Sequence, residues 1–349
     1  MTHSEILEWL REENPACIKA LYARADAVRL DHVGDEVHLR GLVELSNHCR
    51  RSCGYCGLRA PHTRLRRYRL GRDQALACAR EAVERGYGTV VLQAGEDPEL
   101  SGPWVADLVR RIKGETGLAV TLSLGERTDA EYALWREAGA DRYLIRFETS
   151  NEDLFRRIHP PHPRERRGRV AILRRLRELG YEIGSGSLVG LPGTSYADLA
   201  RDVALYRELD LDMIGLGPFI PHGATPLGEV RPSRPGEEQA PNTEEMGYKM
   251  LALARLVCPD ANIPSTTALA VLNEEKGYAA GLQRGANVVM PNLTPPDVRS
   301  LYEIYPAKAV VHGVGESVDA LAQRIQAIGR CVGAGRGDSP RYRRANAAD

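Results

Sequence analysis

"HLRGLVELSNHCRRSCGYCGLR", residues 38–59, runs an apolar segment straight into a polar loop that carries three cysteines. Residues 38–45 have the length and composition of a β-strand, and Ser46-Asn47 end it. Further strands are predicted at 89–94, 119–124, 142–148, 182–190, 212–219, 262–267 and 287–290. Helix-period segments lie between them, for example at 73–85, 104–113, 168–179, 196–208 and 244–257. Several end in a glycine suited to a left-handed C-terminal cap, as in "ERGYG" and "ELGYE". This alternation argues for an α/β protein, a complete (β/α)8 TIM barrel, with a doubly wound open sheet as the alternative.

The expected organisation is an N-terminal helical cap over 1–35, a barrel over 36–330 and a disordered tail over 331–349. Helices at 4–13 and 16–26 are expected to close the barrel's lower end, and the Pro-rich stretch 228–242 reads as a long loop. Lys+Arg and Asp+Glu both number 47 among 349 residues, so no global field favours nucleic acid or an anionic membrane. The local basic runs "RLRRYR" (64–69) and "RERRGR" (164–169) read as solvated loops. No secretory leader and no bilayer-length apolar run is visible, which predicts a cytoplasmic protein with reduced thiols. Of the seven cysteines, Cys78 and Cys258 lie on apolar helical faces and are expected in the core; Cys17 and Cys331 are assigned nothing.

In a barrel, function gathers where strands end at the C-terminal mouth. The cysteine loop follows the first predicted strand, Gly95-Glu96-Asp97 the second and Ser123 to Glu126 the third. Arg146 and Glu148 end the fourth, "GLPG" (190–193) follows the fifth, and Thr266-Thr267 end the seventh. Cys49, Cys53 and Cys56 have the spacing C-x3-C-x2-C. Thiolates suit zinc or iron–sulfur clusters, and three on a 4Fe-4S cubane leave one iron open to another ligand. The alternative is a zinc site completed by His48 or a distant cysteine.

With Tyr55 just before Cys56, this loop resembles that of radical S-adenosylmethionine (SAM) enzymes. The resemblance implies a cubane held by three cysteines, whose open iron chelates SAM. It also implies reductive cleavage of SAM to methionine and a 5′-deoxyadenosyl radical. A closer resemblance, over roughly residues 36 to 306, is to the FeFe-hydrogenase maturase HydE family. It is carried by "VELSNHCRRSCGYCGLR", "LQAGEDPEL", "VTLSLGER", "ADRYLIRFET", "GSGSLVGLPG", "GPFIPHGATPL", "NIPSTTA" and "ANVVMPNLTP". Biotin synthase and methylornithine synthase are related families.

This resemblance implies that Cys49, Cys53 and Cys56 ligate the cluster, and that Gln93, Ala94, Gly95 and Glu96 line the methionine end of SAM. Tyr55, Ser123 and Glu148 belong to the same pocket. Arg169 resembles an arginine that meets the SAM carboxylate, with Arg167 as the alternative because the preceding segment is longer than the family's. Arg40, Thr121, Ser123, Arg146, Thr266 and Thr267 resemble an inner lining that recognises a carboxylate-bearing substrate, a task suited to guanidinium and hydroxyl groups. Structural pairing of an arginine with Glu44 or Glu148 is the competing reading.

Two departures stand out. Residues 307–325 contain no cysteine, so no auxiliary cluster is expected, and Phe147 replaces a family histidine, which bears on the inner substrate's fit. The implied partners are a small iron–cysteine complex, a reductant such as ferredoxin or flavodoxin, and other hydrogenase maturases. The competing functions are a radical SAM amino-acid mutase, a sulfur-inserting enzyme, and a non-catalytic iron-complex carrier.

Overall fold

The computed structural model describes residues 1–162, 167–228, 238–273, 277–306, 308 and 318–346. Its strands are β1 (Glu36–Ser46), β2 (Thr89–Ala94), β3 (Ala119–Ser123), β4 (Arg142–Leu144) and β5 (Glu182–Ser185). After these come β6 (Leu188–Val189), β7 (Met213–Ile214), β8 (Gly217–Pro218), β9 (Val288–Val289) and β10 (Cys331–Val332). The principal sheet is parallel and runs β1-β2-β3-β4-β5-β7 in chain order. That order never reverses, so the switch point of a doubly wound sheet is missing along this path. Single parallel bridges, Met213 with Asn262 and Pro264 with Val288, carry the pairing on to β9, which pairs with β1.

Helices follow the strands because local chemistry starts and stops them. Thr128 and Ser195 cap the helices Asp129–Glu137 and Tyr196–Glu208 through reciprocal bonds with Glu131 and Asp198. Gly117 ends the helix Gly102–Thr116 at a φ of 66°, which a side chain would resist. Between sheet and helices lies a continuous apolar core that includes Val90, Leu92, Val120, Leu122, Tyr143 and Ile183. Cys78 and Cys258 are part of it, as expected.

The helices His3–Arg11 and Pro15–Val33 pack against Tyr196–Glu208 and Glu244–Val257, and the second reaches the loop that precedes residue 262, where His32 meets Asp260 at 3.0 Å. Two expectations need correction. The tail is ordered: β10 pairs with Glu36 and Val37 of β1, and Pro340–Asn346 is helical. It is polar because it satisfies buried polar groups at the lower strand ends. Arg336 O accepts from Thr89 and Arg142, Gly337 O from Arg40 and Asn262, and Ser339 reaches Glu182 and Asp212. The fourth strand's ladder is also shorter than expected, stopping at Leu144. The loop 228–242 and the segment 307–325, where no auxiliary cluster was expected, fall largely outside the described residues. No described helix is long and apolar enough to cross a membrane.

Candidate active site

β1 ends at Ser46, and the cysteine loop begins there. Its base is fixed by Gly95 N–H donating to Ser46 O and by the Asn47 amide donating to Arg66 O and Leu301 O. Cys53 is buried, while Cys49 and Cys56 are half-buried. Burial pushes the Cys53 thiol well up, and Cys56 and Cys49 push it further; burial and Cys49 take Cys56 up to about 12. The three sulfurs therefore share one electrostatic neighbourhood.

They are nonetheless spread wider than a single ion requires. Among the described residues, only Glu96, Glu126 and His159 bring three ligand atoms within 4.8 Å of one another. That trio already faces cations. Arg50 and Arg51 approach Glu96 at 3.4 and 3.8 Å, and Arg169 donates to Glu126 at 3.0 Å. Arg51 and Arg169 also reach His159, at 2.7 and 2.6 Å.

Around the cysteines, the chain makes room for backbone. A Cβ on Gly95 would lie 2.3 Å from His48 O and 2.8 Å from Cys49 Cβ, so the β2 turn and the cysteine loop touch only because residue 95 is glycine. Gly125, at a φ of +75°, leaves the space that the Glu96 side chain fills. Asp97 points the other way, holding Ser46 Oγ at 2.6 Å and the Arg69 guanidinium at 2.6 Å. Gln93 and Ser123 are register partners at the upper ends of β2 and β3.

Glu148 lies past the β4 ladder at a φ of 65°, strained for a residue with a side chain. Its Oε1 accepts from Tyr55 OH at 3.3 Å, and Arg169 stands 3.8 Å away. Arg169, the first residue of the helix Arg169–Glu178, also donates to Arg146 O at 2.5 Å. Burial alone would lower its pKa, but Tyr55, Glu126, Glu148 and Cys53 surround it and the net shift is upward. Arg167 is exposed and pairs with Asp129 at 2.7 Å, so of the two candidates only Arg169 is in this network.

The expected inner lining is split by depth. Arg146 reaches over Gly215, and Thr266 caps the helix Thr267–Leu272 without spending its hydroxyl on the cap. Thr267 lies beside Tyr305. Arg40 departs from this group: it is turned to the lower end, donating to Met213 Sδ at 3.1 Å and Gly337 O at 2.9 Å. Burial and the neighbouring Arg142 push it down to about 9. Thr121 is mid-strand, in register with Val91 and Arg142. Neither Arg40 nor Arg146 has a carboxylate pair among the described residues; Glu44 pairs with Lys308 instead. Phe147 is buried with its ring 5.6 Å from that of Tyr206.

Comparison with known proteins bears on this arrangement. The Radical SAM superfamily pattern matches residues 43–206. The chain is 45% identical to the [FeFe] hydrogenase maturase subunit HydE of Thermotoga maritima over 316 residues, 90% of this chain and 87% of that one. It belongs to the HydE family of radical SAM proteins. A 3-methylornithine synthase of Methanosarcina acetivorans is 27% identical, over 85% of this chain and 81% of its own. Among solved structures, methylornithine synthase superposes with a TM-score of 0.80 at 24% identity, covering 95% of this chain and 94% of that one. The maturase HydG of Carboxydothermus hydrogenoformans gives 0.76 at 19% identity, over 95% and 75% of the two chains. These two share the fold.

As a member of the HydE family, the protein is a radical SAM enzyme, and that membership implies a 4Fe-4S cluster and SAM as cofactors. The residues fit them. Three thiols are present at a spread no single ion needs, and Glu148 Oε2, on a carboxylate whose charge acts on Cys56, is buried without a partner.

Sequence reading missed Arg51 and His159, and placed Glu126 at the end of the third strand without giving it a role. Arg51 lies between the cysteines and was in plain view, but nothing local says that it turns inward. His159 has a pH consequence. Burial, Arg169 and Arg51 push its imidazole down to about 2, so the folded ring stays neutral. The unfolded ring titrates near its ordinary value of about 6.5. Below that pH the unfolded chain binds one more proton, so stability must fall as pH drops from about 6.5 toward 2. His159→Gln should flatten the decline of Tm between about pH 6.5 and 5. Parallel thermal melts check this, and an unchanged slope would refute it.

Proposed function

We propose that this enzyme acts in the cytoplasm in maturation of the FeFe-hydrogenase diiron subcluster, on a small iron complex bound to cysteine. The carrying observation is the 45% identity to a HydE protein over nearly the whole chain, joined to a three-thiol loop near the unpartnered buried Glu148 Oε2. In this reading Cys49, Cys53 and Cys56 are the only protein ligands of one cubane, and SAM takes the remaining iron. When bound, the pair supplies reductive cleavage of the sulfonium to a 5′-deoxyadenosyl radical.

The chain's own residues then divide the remaining work. Backbone groups of Gln93, Ala94, Gly95 and Glu96 line the methionine end, with Tyr55 and Ser123 at the same rim. Arg169 holds the SAM carboxylate and Glu148 orients the polar edge of the pocket, its free Oε2 accepting one bond. Arg146, Thr266 and Thr267 hold the substrate carboxylate near the mouth. Thr121 and Arg40 serve the deeper part of the cavity. We read the sheet as a closed eight-stranded barrel, supported by the bridges through Asn262 and Pro264. A closed wall excludes water from reactive carbon. A ferredoxin or flavodoxin and the other hydrogenase maturases are the fitting partners.

Anaerobic reconstitution followed by reduction with SAM tests the reading. The expected result is one cubane per chain, an EPR signal that changes on adding SAM, and release of 5′-deoxyadenosine. A fully protein-ligated zinc indifferent to SAM would overturn it. Absence of 5′-deoxyadenosine would favour a carrier, and methylornithine or a thioether among the products would favour the mutase or sulfur-inserting alternatives.

A further inference from the structure

Arg169 is anchored at every nitrogen of its guanidinium. Nε donates to Glu126 Oε1 at 3.0 Å, Nη1 to Arg146 O at 2.5 Å and Nη2 to His159 Nε2 at 2.6 Å. Its Cζ stands over the Phe155 ring, 5.3 Å from the centroid. The three acceptors come from three places in the chain: Glu126 after β3, Arg146 after β4 and His159 at the end of the helix Glu152–Ile158. A guanidinium carries five N–H donors, and these bonds take one on each nitrogen. One N–H is left on each terminal nitrogen, as two parallel bonds to a carboxylate require.

We infer that His159 is a positioning residue, whose Nε2 holds the Arg169 guanidinium so that the two remaining N–H groups meet the SAM carboxylate. The inference rests on the reading in which Arg169 takes that carboxylate, and adds the residue that aims it.

His159 is fixed relative to the cysteines as well as to Arg169. Gly54 N–H, next to Cys53, donates to Ile158 O at 2.7 Å. Arg51, between Cys49 and Cys53, reaches the ring, its Nη2 2.7 Å from Nδ1 and 3.2 Å from Nε2 and its Nε 3.3 Å from Nε2. A neutral imidazole has one accepting nitrogen, and Nε2 is the one that both arginines reach. The ring thus ties Arg169 to the loop that carries the cluster ligands. A cofactor that touches both at once needs their separation fixed.

The chemistry of the site favours an uncharged acceptor here. Glu126 already opposes the Arg169 charge, and a second carboxylate at 159 would weaken the pull on an incoming anion. The imidazole is buried and held neutral, so it fixes the guanidinium without neutralising it. Orientation has to be imposed, because Arg169 has an alternative. With His159 it lines a cavity among the helices Glu152–Ile158, Arg169–Glu178 and Tyr196–Glu208, whose wall includes Glu152 and Glu208. A guanidinium released from its anchors has acids to turn to on that side.

The test compares SAM with decarboxylated SAM, which keeps the sulfonium and the adenosine but lacks the carboxylate. Affinities are read by calorimetry on reconstituted protein with the cluster oxidised, so that SAM is not cleaved. In His159→Leu, SAM should bind about tenfold more weakly while decarboxylated SAM binds as to wild type, with iron per chain unchanged. His159→Gln should stay within about threefold of wild type for SAM, because its amide oxygen reaches the place of Nε2. Arg169→Met should lose at least as much SAM affinity as His159→Leu.

Unchanged SAM affinity in His159→Leu, with Arg169→Met weakened, overturns the inference and leaves the reading of Arg169 standing. An equal loss for both ligands also overturns it, since the whole pocket would then have been disturbed. So does a Gln variant as weak as the Leu variant. Wild-type SAM affinity in Arg169→Met would sink the reading of Arg169 itself, and the inference with it. Should His159→Leu fail to hold its cluster, His159→Asn decides the same comparison. Its shorter amide stays polar but falls short of Arg169, so a selective loss of SAM affinity is again expected, and none would overturn the inference.

Discussion

Cys53→Ala is expected to lose both the normal cubane and SAM cleavage, with 5′-deoxyadenosine formation down by more than about a hundredfold. Even residues that only support a metal ligand cost up to about that factor when replaced, and a ligand should cost more. Cys53 is the one of the three cysteines that is buried and the one that feels the charge of both others. Its loss would leave two thiolates on one short loop, with two irons lacking protein ligands. Cys49→Ala and Cys56→Ala should behave alike, whereas Cys17→Ala and Cys331→Ala, outside the loop, should be silent. Iron and sulfide analysis, EPR and chromatography of the nucleoside product check all five. Full activity in Cys53→Ala would remove the ligand assignment.

The contrast among these cysteines follows from what a sequence can carry. Spacing within one loop is local, so C-x3-C-x2-C and its place after an apolar strand were legible. So were most strands and helices, since period and end-capping residues are also local. Depth was not. Arg40 and Arg146 both read as lining for one mouth, but β1 is eleven residues long and Arg40 is in its lower half, against the tail.

The tail itself misled for a physical reason. "GRGDSPR" has the polarity of a solvated segment, yet here that polarity answers buried groups, among them Thr89, Arg142, Glu182 and Asp212. Composition cannot tell water from a buried partner. β4 looked longer than its ladder because Arg146 and Glu148 continue the alternation in sequence while Glu148 leaves extended geometry at a φ of 65°.

Arg142 should therefore be the most destabilising single site in the barrel floor. Its side chain and that of Glu182 are both 0% exposed, and the two are paired. The same guanidinium reaches Asp338 of the tail, Thr89 Oγ1 at 2.9 Å and Arg336 O at 2.8 Å, so one cation joins β2, β4, β5 and the tail. Arg142→Met fills similar space but strands the Glu182 carboxylate, whose remaining bond is from Ser339 N–H at 2.8 Å. Breaking a buried pair from one side costs about 3–5 kcal/mol, mostly through the charge left behind.

Asp338 is less exposed to this loss, because its side chain keeps 17% accessibility and a second partner in Arg336 at 3.0 Å. Arg142→Met/Glu182→Leu removes both fully buried charges and should recover most of the deficit, since apolar replacement of a buried pair is often near neutral. Urea melts of both single variants and the double give the coupling directly. Equal destabilisation in the single and double variants would mean that lost packing, not stranded charge, sets the cost. The tail would then be held by its shape and backbone bonds and not by the electrostatics of the floor.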